Sequence, residues 1–163
     1  MNLLFDPRGN LQPSGLTECS FEEFKANFVD QFEPNQVRKE LFEQLVQYNF
    51  DLRNLIEAPF VQWIDGSFTS KKTSPRDIDL VTFIDWELYS KNGIVIDRQF
   101  SKSKAKDFYP NLDAYTVYLY PKDHSLYPIY HADQLYWLDW FSKTRYNRAK
   151  QRFSKGFIQL NFE

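Results

Sequence analysis

The chain has 163 residues, one cysteine and a formal net charge of −2, with 42% hydrophobic and 26% charged residues. These values exclude a disordered polymer, a disulfide framework and a Cys-rich zinc site, and they fit one domain with its own core. No stretch reaches the ~20 apolar residues that span a bilayer, and Met1–Pro7 lacks the basic start of a signal peptide, so the expectation is a soluble, cytoplasmic protein with no membrane partner.

The near-neutral total hides an asymmetry. Residues 1–65 hold 11 acids and 5 bases, whereas residues 66–163 hold 11 acids and 15 bases. A basic C-terminal half suits a phosphate-bearing partner. Aromatic residues reach 18%, which reads first as a core built from Phe.

In chain order, residues 1–19 read as an extended arm with a turn at Pro13-Ser14-Gly15. Ser20 and Glu23 form a capping box, and Phe21, Phe24, Phe28 and Phe32 follow at near-helical spacing until Pro34. Asn35 caps a longer helix, whose stripe of Val37, Leu41, Leu45, Tyr48, Leu52 and Leu55 runs to Pro59. Residues 20–58 are thus a helical pair. A catalytic sheet core over 60–121 follows, with strands predicted at 60–64, 77–84 and 113–120, a helical turn at 85–91 and a basic segment at 98–108 containing Lys102, Lys104 and Lys106. Residues 132–144 read as a helix and 157–162 as a final strand. Between them, 145–155 carries five bases and no acid. The expected class is α+β, one domain over 1–163, with a small mixed sheet and helices on one side.

Chemistry concentrates at Gly66-Ser67 and Asp77-Ile78-Asp79. Residues two apart on a strand share a face, so Asp77 and Asp79 project together. Two like charges that close repel unless a cation neutralises them, and hard carboxylate oxygens suit Mg²⁺ or Mn²⁺. Glycine lets a phosphate approach the backbone, and a serine hydroxyl with amides at a helix start can hold its oxygens. Lys71, Lys72 and Arg76 add positive charge for a triphosphate.

Gly-Ser followed by Asp-x-Asp on the next strand resembles the signature of the nucleotidyltransferase superfamily that includes DNA polymerase beta. Among characterised members the chain is most similar to the minimal nucleotidyltransferases of bacteria. Trp63-Ile64-Asp65-Gly66-Ser67-Phe68, the arm and the Lys155-Gly156-Phe157-Ile158 ending resemble an uncharacterised small branch of that superfamily. Ten residues separate Ser67 from Asp77, about one fewer than in the common minimal pattern, and Lys71-Lys72 stand where that pattern has a second glycine.

The resemblance implies a polymerase-beta-like core and a third carboxylate on a neighbouring strand. Asp113 is the best candidate, ahead of Asp85, Asp97 and Asp123. It further implies metal and catalytic roles for Asp77, Asp79 and Asp113, and phosphate binding by Gly66, Ser67 and Lys71 or Lys72. The reaction implied is transfer of a nucleoside monophosphate from a nucleoside triphosphate to a hydroxyl of a protein, RNA or small-molecule acceptor. A place in a toxin–antitoxin or defence module follows by analogy. The alternative is a catalytically silent fold acting as a binding module or antitoxin.

Overall fold

A computed structural model describes residues 3–163, without the side chains of Lys102 and Ser103. The first two residues of the arm and the side chain of Lys102 in the basic segment therefore lie outside the described residues.

The arm is more ordered than its sequence suggests. Strands β1 (Leu4–Phe5) and β2 (Leu11–Gln12) pair antiparallel, and β3 (Gly15–Glu18) joins the main sheet. Helix α1 (Phe21–Phe28) starts on the expected capping box, with both reciprocal bonds made between Ser20 and Glu23. A 3₁₀ turn (Asp30–Phe32) leads to α2 (Gln36–Ile56), where the Asn35 side chain accepts from the Arg38 amide. Strands β4 (Phe60–Asp65) and β5 (Ile78–Asp85) flank the loop that carries Gly66-Ser67. Short helical turns, including α3 (Tyr89–Val95) and α4 (Lys102–Ala105), cross to β6 (Leu112–Leu119). Helix α5 (Tyr127–Phe141) and β7 (Gly156–Phe162) complete the chain.

The five-stranded sheet has the order β3-β7-β4-β5-β6. β3 runs parallel to β7, β5 runs parallel to β6, and the two central pairings are antiparallel. The class is therefore α+β with a mixed sheet. Helices lie on both faces, which corrects the expectation of one side.

The reason is strand alternation. Ile64, Leu80, Ile84 and Ala114 point to one face, where Phe24, Phe28, Leu41, Leu45 and Leu52 of α1 and α2 cover them. Trp63, Val81, Phe83 and Val117 point to the other, where Phe141 and Trp137 of α5 meet them. Each large apolar side chain fully buried in this way contributes roughly 1.5–3 kcal/mol. The α2 face also holds a polar seam. The Tyr48 hydroxyl donates to the Phe100 carbonyl at 3.0 Å, and Gln62 Nε2 donates to Asn49 Oδ1 at 2.7 Å. No described helix is long and apolar enough to cross a membrane.

Candidate active site

The same alternation sorts the acids. Asp65 lies two residues beyond Trp63, Asp79 two before Val81, and Asp113 two before Tyr115. All three therefore belong to the α5 face. The register makes them a rank, with Asp65 opposite Asp79 on β4 and β5, and Asp79 beside Asp113 on β5 and β6. Asp77, just ahead of β5, shares their face and lines the same cavity as Asp79.

Three like-charged neighbours act on Asp79. Burial first, then Asp77, Asp65 and Asp113, push its carboxyl up to about 6, and Arg145 opposes them. The Arg145 guanidinium reaches within 3.9 Å of Asp79 Oδ1 from a side chain that is 82% exposed. Asp65 is balanced differently. Burial drives its carboxyl upward, while a direct ion pair with the Lys155 ammonium opposes that. Asp113 lies 3.6 Å from Lys106 Nζ, and both are partly exposed.

Gly66 is the hinge of this arrangement. Its φ is +84°, and a Cβ built there would overlap the Asp79 carboxylate. Glycine is therefore required twice, by the backbone and by the carboxylate packed on it. The residues after it form turns and bends, without a helix start. Thr69 Oγ1 donates to the Gly66 carbonyl and Ser70 Oγ to that of Ser67, at 3.2 and 2.7 Å.

A single arginine fixes this loop from behind. Arg38 of α2 is completely buried. Its Nη1 donates to the carbonyls of Phe28 and Phe68, and its Nη2 to those of Ser70 and Lys72, at 2.6–2.8 Å. Its guanidinium also lies 3.8 Å from the Phe32 ring centre. Burial pushes its pKa down, to about 10, which leaves it charged at neutral pH.

The cavity in front of the loop has a volume of about 450 Å³. Asp65, Gly66, Ser67, Lys72, Arg76, Asp77 and Asp79 line it together with Trp140, Lys143, Arg145, Arg152 and Lys155, and with Asn10 and Leu11 of the arm. Acids and bases interleave there, Lys155 pairing with Asp65 and Arg145 reaching Asp79. Of the residues expected from the sequence, Gly66, Ser67, Lys72, Asp77 and Asp79 come together here. Lys71 is turned elsewhere, its ammonium 4.5 Å from the Phe5 ring centre and its amide donating to the Gly9 carbonyl. Asp113 stands next to Asp79 in the sheet, outside the cavity wall.

Sequence reasoning missed Asp65, Arg38, Lys155 and Trp140. Asp65 was legible in principle, because it follows Trp63 by two on a strand that enters the glycine turn. Arg38 and Lys155 carry no local signal, since the loop carbonyls and the carboxylate they hold lie 30 and more residues away.

The donor set fits a hard divalent cation in one respect. Asp77 and Asp79 are oxygen ligands on one face, and Asp79 carries the like-charge strain that a cation relieves. Among the described residues, no group of three or more His, Cys, Asp or Glu converges as a ready-made metal centre. A cation here would therefore rest on one or two carboxylates and take its remaining oxygens from water and substrate phosphates.

Residues 3–161 match the family of unknown function DUF6932, and the chain belongs to that family. No curated protein and no solved structure matches it.

Proposed function

We propose that this chain is a polymerase-beta-like nucleotidyltransferase that moves a nucleoside monophosphate from a nucleoside triphosphate to an acceptor hydroxyl. One observation carries the reading. Asp65, Asp77 and Asp79 line one cavity with Lys72, Arg76, Arg145, Arg152 and Lys155, beside the Gly66-Ser67 turn. Acids and bases gathered in one cavity suit a substrate that is both metal-bound and polyanionic.

Asp77 and Asp79 would hold Mg²⁺ or Mn²⁺, with Asp113 beside them, and the cation would neutralise the carboxylates and polarise the reacting phosphate. Ser67, the backbone near Gly66 and Lys72 bind phosphate oxygens. Arg145 and Arg152 meet the triphosphate and spread its charge as pyrophosphate departs. The acceptor oxygen bonds to the α-phosphorus, the bond to the bridging oxygen breaks, and the hydroxyl proton passes to a carboxylate of the rank. The resemblance gives that role to Asp113, which lies beside Asp79 in the sheet and 3.6 Å from Lys106 Nζ. Lys155 pairs with Asp65 and opposes the upward push that burial gives its carboxyl.

The test is transfer of α-labelled nucleoside triphosphates to a lysate with Mg²⁺ or Mn²⁺, beside Asp77→Ala/Asp79→Ala. Label on a protein, RNA or small molecule with the wild type only supports the reading and identifies the acceptor. A second reading is a silent fold that binds a partner or serves as an antitoxin, in line with the finding that among the described residues no three or more His, Cys, Asp or Glu converge. No label from folded protein, together with no shift in melting temperature on adding Mg²⁺ and nucleotide, selects it.

A further inference from the structure

The bases do not end at the cavity mouth. Trp140 lines the cavity and is 44% exposed. On one side it stacks on Tyr136 one helical turn back, with ring centres 6.1 Å apart and planes at 13°. On its other side the Arg152 guanidinium lies 5.6 Å from its ring centre and 5.1 Å from that of Tyr146. Tyr136 and Tyr146 are 55% and 68% exposed. Four flat groups thus form one ladder from the cavity to the surface.

The ladder is held by a built hairpin. The segment 143–155 reads from sequence as a basic run, and its ends are tied by an isolated bridge between Lys143 and Ser154. The Thr144 amide donates to the Phe153 carbonyl at 2.8 Å, and Arg152 Nε donates to the Thr144 carbonyl at 3.0 Å. Arg152 is thereby fixed between the two rings. Residues 143–155 contain six bases and no acid. The acid nearest the ladder, Asp139, is already paired with Lys143. Arg148 and Lys150 remain exposed beside Tyr146.

We infer that this ladder is the seat of a single-stranded nucleic acid, whose end enters the cavity as the acceptor. Partly exposed rings on which a base can stack, interleaved with cations that follow a backbone, define that ligand class. A polyanion meets no unpaired acid along the hairpin, whereas an apolar protein segment would leave its bases without partners. Exposed Ile129 and Leu135 earlier on α5 would be the footing for such a protein. The inference rests on the proposed transfer activity for its acceptor role. It does not rest on that activity for binding.

The two parts are read separately. Fluorescence polarisation with labelled oligoribonucleotide and oligodeoxyribonucleotide single strands of about 12 nucleotides, and a duplex control, measures binding by the full chain. The expected result is saturable single-strand binding that weakens steeply with salt. Tyr136→Ala/Trp140→Ala should weaken it about tenfold or more. Arg148→Ala/Lys150→Ala should flatten the salt dependence, and Phe50→Ala on the distant α2 surface should change nothing. Tighter RNA than DNA binding assigns recognition of the 2′-hydroxyl, and equal binding assigns base and phosphate alone. No single-strand binding at low salt, or equal binding by a folded Tyr136→Ala/Trp140→Ala variant, overturns the inference and hands α5 to a protein partner. Oligonucleotide binding without label transfer from any triphosphate sinks the transferase reading and leaves the platform standing. Label on a protein, with no oligonucleotide bound, does the reverse.

Discussion

The two faces of the sheet are built on opposite terms. The α2 face buries Phe24, Phe28, Leu41, Leu45 and Leu52, and even its arginine gives both terminal nitrogens to backbone carbonyls. On the α5 face, Phe141 is buried while Trp140, Leu138 and Tyr136 beside it remain open, and the same face carries the rank of acids. Alternation along β4, β5 and β6 lets one set of strands serve both purposes. Stability resides mainly on one side, and that side can tolerate strain on the other.

The comparison can be broken from either side. The largest effect is expected from Arg38→Met. It strips four backbone carbonyls of their donor in a buried setting, at a cost of about 3–5 kcal/mol. Denaturant unfolding should show this loss, and nucleotide binding should fall with it, because the 66–72 loop loses its anchor.

Asp79→Asn should act in the opposite direction. Burial and its acidic neighbours push the wild-type carboxyl up to about 6 in the folded chain, against about 3.9 for an ordinary aspartate. The folded state therefore holds the proton more tightly. Its penalty is absent below about pH 4, grows as pH rises to about 6, and is complete above that. At pH 7–8 and without divalent cation, Asp79→Asn should be more stable by up to about 3 kcal/mol. Its melting temperature should also lack the wild-type decline between pH 4 and 6. A parallel decline in both proteins would show that the acids do not share one field.

Gly66→Ala tests the seam between the two faces. A non-glycine residue at φ +84° costs of order 1–3 kcal/mol, and the displaced Asp79 carboxylate should abolish any stabilisation by Mg²⁺. Its signature is a modest loss in unfolding free energy with a complete loss of metal response. Tyr136→Ala should give the smallest stability change, within about 0.5 kcal/mol, since its ring is 55% exposed. A large loss of stability there would mean that α5 does more for the core than its exposure implies.

Much of the α2 face was legible in the sequence. The capping box at Ser20, the cap at Asn35 and the apolar stripe of α2 all depend on neighbours within a turn or two, so they read directly. Strands β4 to β7 read as alternating or apolar runs to within a residue or so. Helix α5 begins at Tyr127, earlier than the 132 expected, and Pro128 in its first turn is the signal that was available. The site was half legible. Gly66, Ser67, Asp77 and Asp79 announce themselves by spacing. Asp65 joins them only through register, and Lys155 and Arg38 only through folding of distant segments. The reverse held for Lys71, whose position in the loop suggested phosphate although its charge lies against Phe5 and Phe32.

The pairing of β3 with β7 has a consequence for the order in which the molecule assembles. Gly15 lies opposite Gly156, so the first strand of the main sheet stays without a partner until the last strand has been made. Lys155 reaches Asp65 only at the same moment. During synthesis Asp65 can join Asp79 and Asp113 while its partner Lys155 is still inside the ribosome, whereas Lys106, the partner of Asp113, precedes β6 in the chain. A nascent chain stopped short of residue 155 should hold Asp65 uncompensated and its β3 loose, and should be cut by protease in the arm before anywhere else. Contacts between such distant parts also slow folding. The closing of the sheet and the pairing of Asp65 are one event.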